Sequence, residues 1–339
     1  MSVQRPIRLA MIGAGIFARE AHVPAALALG DAYEIVAVYS RSPESAARLN
    51  ALLPAPADVY HDIPALLARQ DIEAVDVLLP IPMIPEAVEM ALTAGKHVIS
   101  EKPMAPDVAT GRRLLERYAA VPDQVWMVAE NYRYEAAFVE AASVIASGEI
   151  GNLLLADWMI CVDMTPANKY YHTAWRRTGD FPGGFLLDGG VHHIAALRLI
   201  LGEVDRVCAT VTQAREDLPP ADTLSASLRF ESGLVGSYVI TYAGDAPWSG
   251  DIRIAGEKGS LRVTRDSGVE ITTGGETRLI RLEGHRGVQD ELAAFAAAVR
   301  RGEPHRNSPQ EALQDVAVIE AMLRSDAEGR CIVPERIVS

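Results

Sequence analysis

Three residues of the sequence, Lys102, Asp188 and His192, have the side chains and the settings that proton transfer needs. Lys102 follows an apolar strand and precedes Pro103, which fixes the backbone at the rim where open parallel sheets bind ligands. Asp188 and His192 are four residues apart in a glycine-rich entry to a helix, so their side chains project from one face. An imidazole titrates near neutral pH and can take the hydroxyl proton of an alcohol as hydride leaves its carbon. We predict that these three residues are catalytic.

The same residues also fit other interpretations. Asp188, His192 and His193 are metal-binding residue types, but adjacent histidines diverge on a helix and the sequence contains no second ligand cluster. We therefore predict no metal. Asp188 would also suit a helix N-cap, His192 a buried structural histidine, and Lys102 an ordinary loop position.

A dinucleotide-binding pattern lies at the start of the chain. Gly13-x-Gly15-x-x-Ala18 follows the first apolar strand and opens a helical pattern. Gly13 allows a tight turn, Gly15 lets the backbone approach a pyrophosphate, and the small Ala18 allows helix and strand to pack closely. The residues that we expect to contact the cofactor are Gly13, Gly15, Ile16, Phe17, Ser40, Arg41, Pro80, Glu101, Lys102 and Asn131.

The end of the second predicted strand bears on the choice of cofactor. The chain reads Tyr39-Ser40-Arg41-Ser42 there, and the acidic Glu34 lies at the opposite end of the strand. An acidic residue at this place binds the adenosine 2′-hydroxyl of NAD, whereas a cation with polar neighbours accommodates the 2′-phosphate of NADP. The sequence favours NADP, with NAD as the alternative if Arg41 only stacks on the adenine.

Residues 1–128 predict an α/β dinucleotide-binding domain with a doubly wound parallel sheet, the Rossmann fold. Short apolar runs alternate with segments whose apolar residues recur at helical spacing. Apolar strands joined by helices form a parallel sheet that is covered on both faces. The predicted strands are 7–12, 34–39, 59–61, 74–79, 97–100 and 125–129, and the predicted helices are 18–29, 43–53, 63–69, 85–94 and 108–119.

Residues 129–339 predict an α+β domain with a large, open, mostly antiparallel sheet for substrate binding and oligomerisation. Turn residues such as Glu231-Ser232-Gly233 separate its strands, as in hairpins. The predicted strands are 153–164, 204–213, 223–230, 234–242, 251–255, 260–264, 269–273 and 277–282, after a helix at 136–147. Helices at 190–201, 288–301 and 309–325 would cover one face. The other face would meet a partner subunit, which predicts a homodimer or homotetramer.

The composition limits the partners that this chain can have. A formal net charge of -13 over 339 residues disfavours binding to nucleic acid or to an anionic membrane surface. No apolar run has the length of a membrane span or the pattern of a signal peptide. Cys161, Cys208 and Cys331 are far apart, so we expect no disulfide framework and a reducing, cytoplasmic location.

Aromatic and cationic residues cluster upstream of Asp188 and after the last parallel strand. Aromatic faces suit the C–H patches of a sugar or another polyol, and the forked donors of arginine suit hydroxyls or a carboxylate. We therefore expect a small, polyhydroxylated substrate, the alternative being a partly packed surface loop. The candidate substrate residues are Arg133, Tyr171, His172, Trp175 and Arg176.

In combination, these motifs resemble the glucose-fructose oxidoreductase, inositol dehydrogenase and MocA (Gfo/Idh/MocA) family. The resemblance spans nearly the whole chain and rests on Gly13-x-Gly15-x-x-Ala18, Glu101-Lys102-Pro103 and Asp188-x-Gly190-x-His192. It implies an NAD(P)-dependent oxidoreductase that moves hydride between nicotinamide C4 and a secondary alcohol or ketone carbon of a sugar, cyclitol or related diol. It further implies that Lys102 touches the substrate hydroxyl, Asp188 orients the reacting groups and His192 exchanges the proton. A cis peptide before Pro103 is implied as well.

The segment after the fourth predicted strand departs from the family pattern. Family members often carry Pro-Asn and a nearby histidine there, where this chain has Leu79-Pro80-Ile81-Pro82-Met83-Ile84-Pro85. The run resembles a subgroup that includes nucleotide-sensing repressors. The alternative function is therefore a non-catalytic NAD(P)-sensing regulatory protein of the same fold, against which the intact Lys102, Asp188 and His192 argue.

Overall fold

The computed structural model describes residues 5–282 and 284–338 of the chain, which divides into two compact units. The first unit comprises Met1–Asn131 and Gly287–Leu313. The second unit comprises Tyr132–Arg286 and Gln314–Ser339. The units are therefore interleaved along the chain, unlike the consecutive domains 1–128 and 129–339 that we predicted.

The first unit is built on a parallel sheet. Its strands are β1 (Ile7–Ile12), β2 (Tyr33–Tyr39), β3 (Asp58–Tyr60), β4 (Ala74–Val77), β5 (His97–Glu101) and β6 (Trp126–Ala129). They lie in the order β3-β2-β1-β4-β5-β6, as predicted for a Rossmann fold. The direction of winding changes between β1 and β4, and the crevice at such a point is where these sheets bind dinucleotides. The central strands are buried on both faces, which explains their continuous apolar sequences.

Helices cover this sheet at the predicted places. They are α1 (Val23–Ala28), α2 (Pro43–Asn50), α3 (Ile63–Leu67), α4 (Ile84–Thr93) and α5 (Val108–Ala119). The N-caps of α2, α3 and α5 are Ser42, Asp62 and Asp107, whose side chains each accept a backbone N–H bond. The expected helix over 18–29 is irregular, because a π-helical segment, Ala18–His22, precedes α1.

The second unit contains a mixed sheet. Its strands are β7 (Leu153–Cys161), β8 (Val204–Thr212), β9 (Thr223–Phe230), β10 (Val235–Thr241), β11 (Ile252–Gly256), β12 (Gly259–Thr264), β13 (Gly268–Thr273) and β14 (Glu276–Arg281). The order is β14-β13-β12-β11-β7-β10-β9-β8. The β7–β10 pair is parallel and the other pairs are antiparallel, which confirms the mostly antiparallel prediction.

The remaining helices are α6 (Ala136–Ala146), α7 (Phe185–Leu201), α8 (Gly287–Arg301) and α9 (Pro309–Glu328). The prediction that 288–301 covers the C-terminal sheet is wrong, because α8 packs within the first unit. Leu292 and Phe295 of α8 are fully buried, and the hydroxyl of Tyr33 donates to the Leu292 carbonyl at 2.6 Å. Burial of this apolar face against the Rossmann strands thus decides where α8 packs.

Two further expectations need correction. Helix α7 begins at Phe185, five residues before the expected start, because Gly189 and Gly190 serve close packing and not a turn: a Cβ on Gly189 would overlap the Tyr242 hydroxyl. Cys208 and Cys331 form a disulfide, which the expectation of none missed because neighbouring backbones at the β8 edge, paired at Val207 and Ile332, bring distant residues together. Among the described residues, every helix is too short or too polar to cross a bilayer.

Candidate active site

Lys102 lies directly after β5, at the carboxyl edge of the parallel sheet. The peptide bond between Lys102 and Pro103 is cis, as the family resemblance implied. Pro103, Met104 and Ala105 are buried, whereas Lys102 is only partly so. The strand and the buried residues that follow it therefore anchor a short loop that carries the ammonium group.

His22 is a fully buried residue beside this loop. Its Nδ1 lies 2.7 Å from Asp76 Oδ2 of β4, and its Nε2 lies 3.0 Å from Glu101 Oε1. Burial opposes a charge on the ring, yet Asp76 and Glu101 raise the pKa of His22 well above its usual value. The sequence could have indicated this cluster. Asp76 lies in the apolar β4 run Ala-Val-Asp-Val, and a buried aspartate requires a hydrogen-bonding or charged partner.

More acidic groups surround His22 inside the first unit. Glu291 of α8 is fully buried, and the Nδ2 of Asn307 donates to its Oε2 at 3.1 Å. Burial, with Glu101, Glu130 and Asp76 nearby, raises the pKa of Glu291 well above its usual value. The surroundings of Glu291 therefore favour its protonated form more than water would.

The glycine turn after β1 has the geometry that a dinucleotide requires. Gly13 adopts φ +123° and donates its N–H to the Tyr39 carbonyl at 3.0 Å. A Cβ on Gly13 would overlap the Leu78 carbonyl oxygen, while the space above Gly15 is open. Ile16 and Phe17 form the first helical turn. The residues present thus fit a bound dinucleotide, with Gly15 letting a pyrophosphate approach the backbone.

The end of β2 differs in one respect from the expectation. Arg41 is exposed there, and the buried Ser40 donates its hydroxyl to the Ser42 carbonyl at 3.0 Å. Ser42 donates to Glu44 Oε2 at 2.7 Å, so an acidic group does lie near this position. The sequence analysis considered only Glu34 as an acidic residue of this strand, whereas the first turn of α2 places Glu44 beside Ser42.

Asp188 and His192 occupy successive turns of α7 in the second unit. Asp188 accepts a bond from Arg176 Nε at 2.7 Å. The N-cap of α7 is Gly184 and Asp188 lies inside the helix, so the N-cap interpretation is wrong. His192 stacks on the ring of Tyr132 with centroids 4.6 Å apart. The guanidinium of Arg265 lies over the same Tyr132 ring, 4.4 Å from its centroid. The helix thus presents a carboxylate held by a cation beside an imidazole held by an aromatic ring.

The two adjacent histidines diverge as expected. His193 is buried, and its Nδ1 lies 2.8 Å from the Tyr238 hydroxyl. His192 is only partly buried. Within the described residues, no group of three or more histidine, cysteine, aspartate or glutamate side chains could hold a metal ion.

Tyr242 is a site residue that the sequence analysis missed. Its ring is buried, its hydroxyl lies against Gly189, and no described residue forms a hydrogen bond with that hydroxyl. Burial, with Asp188 nearby, raises the pKa of Tyr242 above its usual value. A phenol that keeps its proton beside Asp188 can donate a hydrogen bond, and only the packing of α7 on the strand end reveals it.

The candidate substrate residues separate into two groups. Arg176 reaches Asp188 and stacks on Trp175, its guanidinium 4.1 Å from the ring, so these two stay in the candidate site. Arg133 is instead buried in an ion pair with Asp315 at 2.6 Å, and its contact with a substrate stays a prediction.

Two further candidates, Tyr171 and His172, contact their own loop. The Tyr171 hydroxyl donates to Asp217 at 2.6 Å, and His172 Nε2 lies 3.1 Å from the Pro166 carbonyl. Both contacts organise the loop, and the contact of these two residues with a substrate stays a prediction.

Two expected cofactor residues lie at strand ends of the first unit. Pro80 precedes a 3-10 turn, Ile81–Met83, after β4, and the buried Asn131 opens another, Asn131–Tyr134, after β6. Both follow strands of the parallel sheet at its carboxyl edge, where dinucleotides bind. Their contact with the cofactor stays a prediction.

Comparison with known families decides the identity of this fold. A model of the oxidoreductase family's NAD-binding Rossmann fold matches residues 7–129, and a model of its C-terminal alpha/beta domain matches residues 142–334. The chain belongs to the Gfo/Idh/MocA oxidoreductase family. The resemblance drawn from the motifs is confirmed, and the protein is an NAD(P)-dependent oxidoreductase.

Similar proteins from this family match the chain over most of its length. Dehydrogenase FPY6 of Fusarium mangiferae is 36% identical over 95% of this chain and 97% of its own. A dTDP-3,4-didehydro-2,6-dideoxy-alpha-D-glucose 3-reductase of Streptomyces violaceoruber is 29% identical, covering 88% of this chain and 86% of its own. The crystal structure of an oxidoreductase from Thermotoga maritima has a TM-score of 0.90 and 38% identity, covering 97% of this chain and 98% of its own.

Proposed function

We propose that this protein is an NADP-dependent dehydrogenase or reductase whose substrate is a secondary alcohol or ketone of a sugar, cyclitol or related diol. The observation that carries the proposal is the arrangement on α7, where Asp188 is held by Arg176 and His192 is stacked on Tyr132. This is an acid–base pair set among hydrogen-bond donors and aromatic faces. The 3-reductase from Streptomyces, whose name describes a keto-sugar substrate, supports the substrate class.

Each residue has a distinct proposed role. When it is bound, the nicotinamide accepts or supplies the hydride at C4. His192 takes the hydroxyl proton during oxidation and returns it during reduction. Lys102 donates a hydrogen bond to the same oxygen and stabilises its negative charge as it develops. Asp188, kept in place by Arg176, orients the imidazole and a neighbouring substrate hydroxyl.

The preference for NADP is part of the proposal and is supported by Arg41. Arg41 is exposed at the end of β2, and its guanidinium can stack on adenine and pair with a 2′-phosphate. The nearby Glu44 is already engaged by the Ser42 hydroxyl. We further propose a homodimer or homotetramer formed through the open face of the second unit's sheet.

The test is an absorbance screen at the reduced-nicotinamide band, with NADP and NAD run in parallel against aldoses, ketoses, cyclitols and sugar acids. We expect turnover of at least one compound, and Lys102→Met and His192→Ala should each lower it about 100-fold or more. Both variants should retain cofactor binding, measured by nicotinamide fluorescence. Undiminished turnover in both variants would refute the roles, and tight cofactor binding without turnover of any compound would favour the NAD(P)-sensing alternative.

A further inference from the structure

The side chain of His22 connects the dinucleotide turn with the lysine loop inside the first unit. It ends the π-helical segment Ala18–His22 that follows the glycine turn, and π-helical turns, although rare, are frequent at functional sites. Its ring is fully buried and bridges Asp76 in β4 and Glu101, the residue immediately before Lys102. One imidazole therefore joins the end of β5 to the helix that begins at the cofactor turn.

The charge on this ring matters because its surroundings are acidic. A neutral imidazole has one N–H, so only the imidazolium can donate to Asp76 and Glu101 at the same time. Glu291 of α8 and Glu130, after β6, also face the cluster, and burial raises the pKa of the Glu291 carboxyl. Phe17 covers the ring edge-on, with centroids 5.3 Å apart. The imidazolium thus supplies the positive charge that this buried cluster needs.

We propose that His22 is a positioning residue for Lys102, because it holds the carboxylate of Glu101 and offsets its negative charge beside the lysine. This inference rests on the catalytic role that we have proposed for Lys102. Without a charged His22, the Glu101 carboxylate would have lost the cation that it contacts, and its negative charge would act on the Lys102 ammonium without that offset. The lysine would then keep its proton more tightly and orient toward Glu101 and not toward a substrate oxygen.

The proposal predicts shifts of opposite sign from two neutral substitutions. His22→Gln removes the balancing cation, so the pKa of the Lys102 amine should rise by about half a pH unit or more. Glu101→Gln removes the anion and leaves the cation, so the same pKa should fall by a similar amount. In the double variant both charges are gone, and the pKa should return close to the wild-type value.

The measurement is direct, because the chain has only four lysines, Lys96, Lys102, Lys169 and Lys258. Reductive methylation with ¹³C-formaldehyde labels each amine, and heteronuclear NMR spectra recorded from pH 6.5 to 10.5 give each titration curve. The full-length chain is saturated with NADP⁺, and Lys102→Met assigns the signal. His97→Gln is the matched control, since His97 is a partly buried histidine of the same unit that accepts the Val125 N–H at 3.0 Å.

The outcomes separate the proposal from a purely structural role. Opposite shifts in the single variants, their cancellation in the double variant and no shift in His97→Gln support it. Unchanged titration of Lys102 in the single variants overturns it, even if both lose thermal stability. Should His22→Gln fail to fold, the downward shift in Glu101→Gln decides alone, because that side chain is at the surface of the cluster and its loss leaves His22 paired with Asp76.

The readout is independent of turnover, so this inference and the proposed function can fail separately. If Lys102→Met turns over sugars as wild type does, the catalytic role fails whatever the titration shows. If that role holds while Lys102 titrates identically in all variants, only the inference about His22 fails. Where a substrate is known, the alkaline limb of kcat/KM should move in the same direction as the lysine titration.

Discussion

The hydroxyl of Tyr242 lies against Gly189, the neighbour of Asp188 in α7, and this position is open to it because Gly189 has no side chain. A Cβ at that position would overlap the hydroxyl oxygen. The pKa of the phenol is raised, so it remains a donor throughout the physiological range. At the scale of single residues, the α7 site thus combines an imidazole, for which we propose proton exchange, with a phenol that keeps its proton.

Tyr242→Phe should lower kcat/KM for the best sugar about threefold to tenfold, because it removes one neutral hydrogen bond to the substrate. The matched control is Tyr238→Phe on β10, the strand that ends just before Tyr242, and its hydroxyl is bonded to His193 inside the core. That control should lower the melting temperature and leave kcat/KM near wild type. Equal kinetic effects from both substitutions would show that Tyr242 has no contact with the substrate.

Arg41→Ala should raise the KM for NADP about tenfold and leave the KM for NAD within a factor of two, since a charge-assisted bond to the 2′-phosphate is lost. Steady-state kinetics with each cofactor give the two constants. Arg48→Ala is the control, because Arg48 is an exposed cation of α2 that bonds its own helix at the Glu44 carbonyl. A parallel rise for both cofactors would mean that Arg41 contacts only the adenine.

At the scale of elements, α8 brings a fully buried glutamate into the Rossmann unit. The pKa of Glu291 is raised in the folded chain, mainly by burial. A carboxyl whose pKa is raised by folding makes its full contribution to the free energy of unfolding below its pKa in the unfolded chain, about 4.3. That contribution is lost as the pH rises through its pKa in the folded chain. The native protein should therefore become less stable toward alkaline pH on account of this group.

Glu291→Gln replaces the titrating group by a neutral side chain that can still accept the bond from Asn307. The variant should melt above wild type at pH 8 to 9, and the difference should shrink as pH falls toward 5. Calorimetric melting across that range measures it. Glu276→Gln, on an exposed hairpin strand, is the control and should show no pH-dependent difference. A constant difference at every pH would contradict the raised pKa.

Much of this fold could be predicted from local pattern, and the exceptions have physical causes. Period-two and helical spacing located β1, β9 and α5 at their observed bounds. Spacing along the chain cannot reveal which unit α8 joins or that β7 pairs in parallel with β10, because both depend on long-range burial. The same distinction between local pattern and long-range contact applies to the candidate site. The types of Asp188 and His192 were informative, whereas the Arg176 partner, Tyr242 and the His22 cluster arise from tertiary contacts.

At the scale of the whole molecule, the second unit's sheet keeps apolar residues on its surface. Leu155 and Val235 are paired neighbours on β7 and β10, and each is about half exposed. Exposed apolar residues in the middle of a sheet face are typical of subunit interfaces. They support the proposed oligomer without fixing its size.

Val235→Arg should shift the protein toward the monomer by placing a charge in that apolar face. Light scattering coupled to size exclusion should give two or four chain masses for wild type and a lower mass for the variant. Val333→Arg is the control, since Val333 is an exposed apolar residue outside the sheet. A wild-type monomer, or an unchanged mass in Val235→Arg, would exclude this interface.

The interleaving of the two units has a consequence for synthesis of the protein. The Rossmann half lacks α8 and Asn307, which bonds the Glu130 carbonyl, until translation has passed residue 313. In a nascent chain, the apolar surface of the Rossmann strands that α8 covers therefore stays exposed while the ribosome synthesises residues 132–286. Truncated products that end before α8 cannot cover this surface, and cellular proteases and chaperones would recognise them.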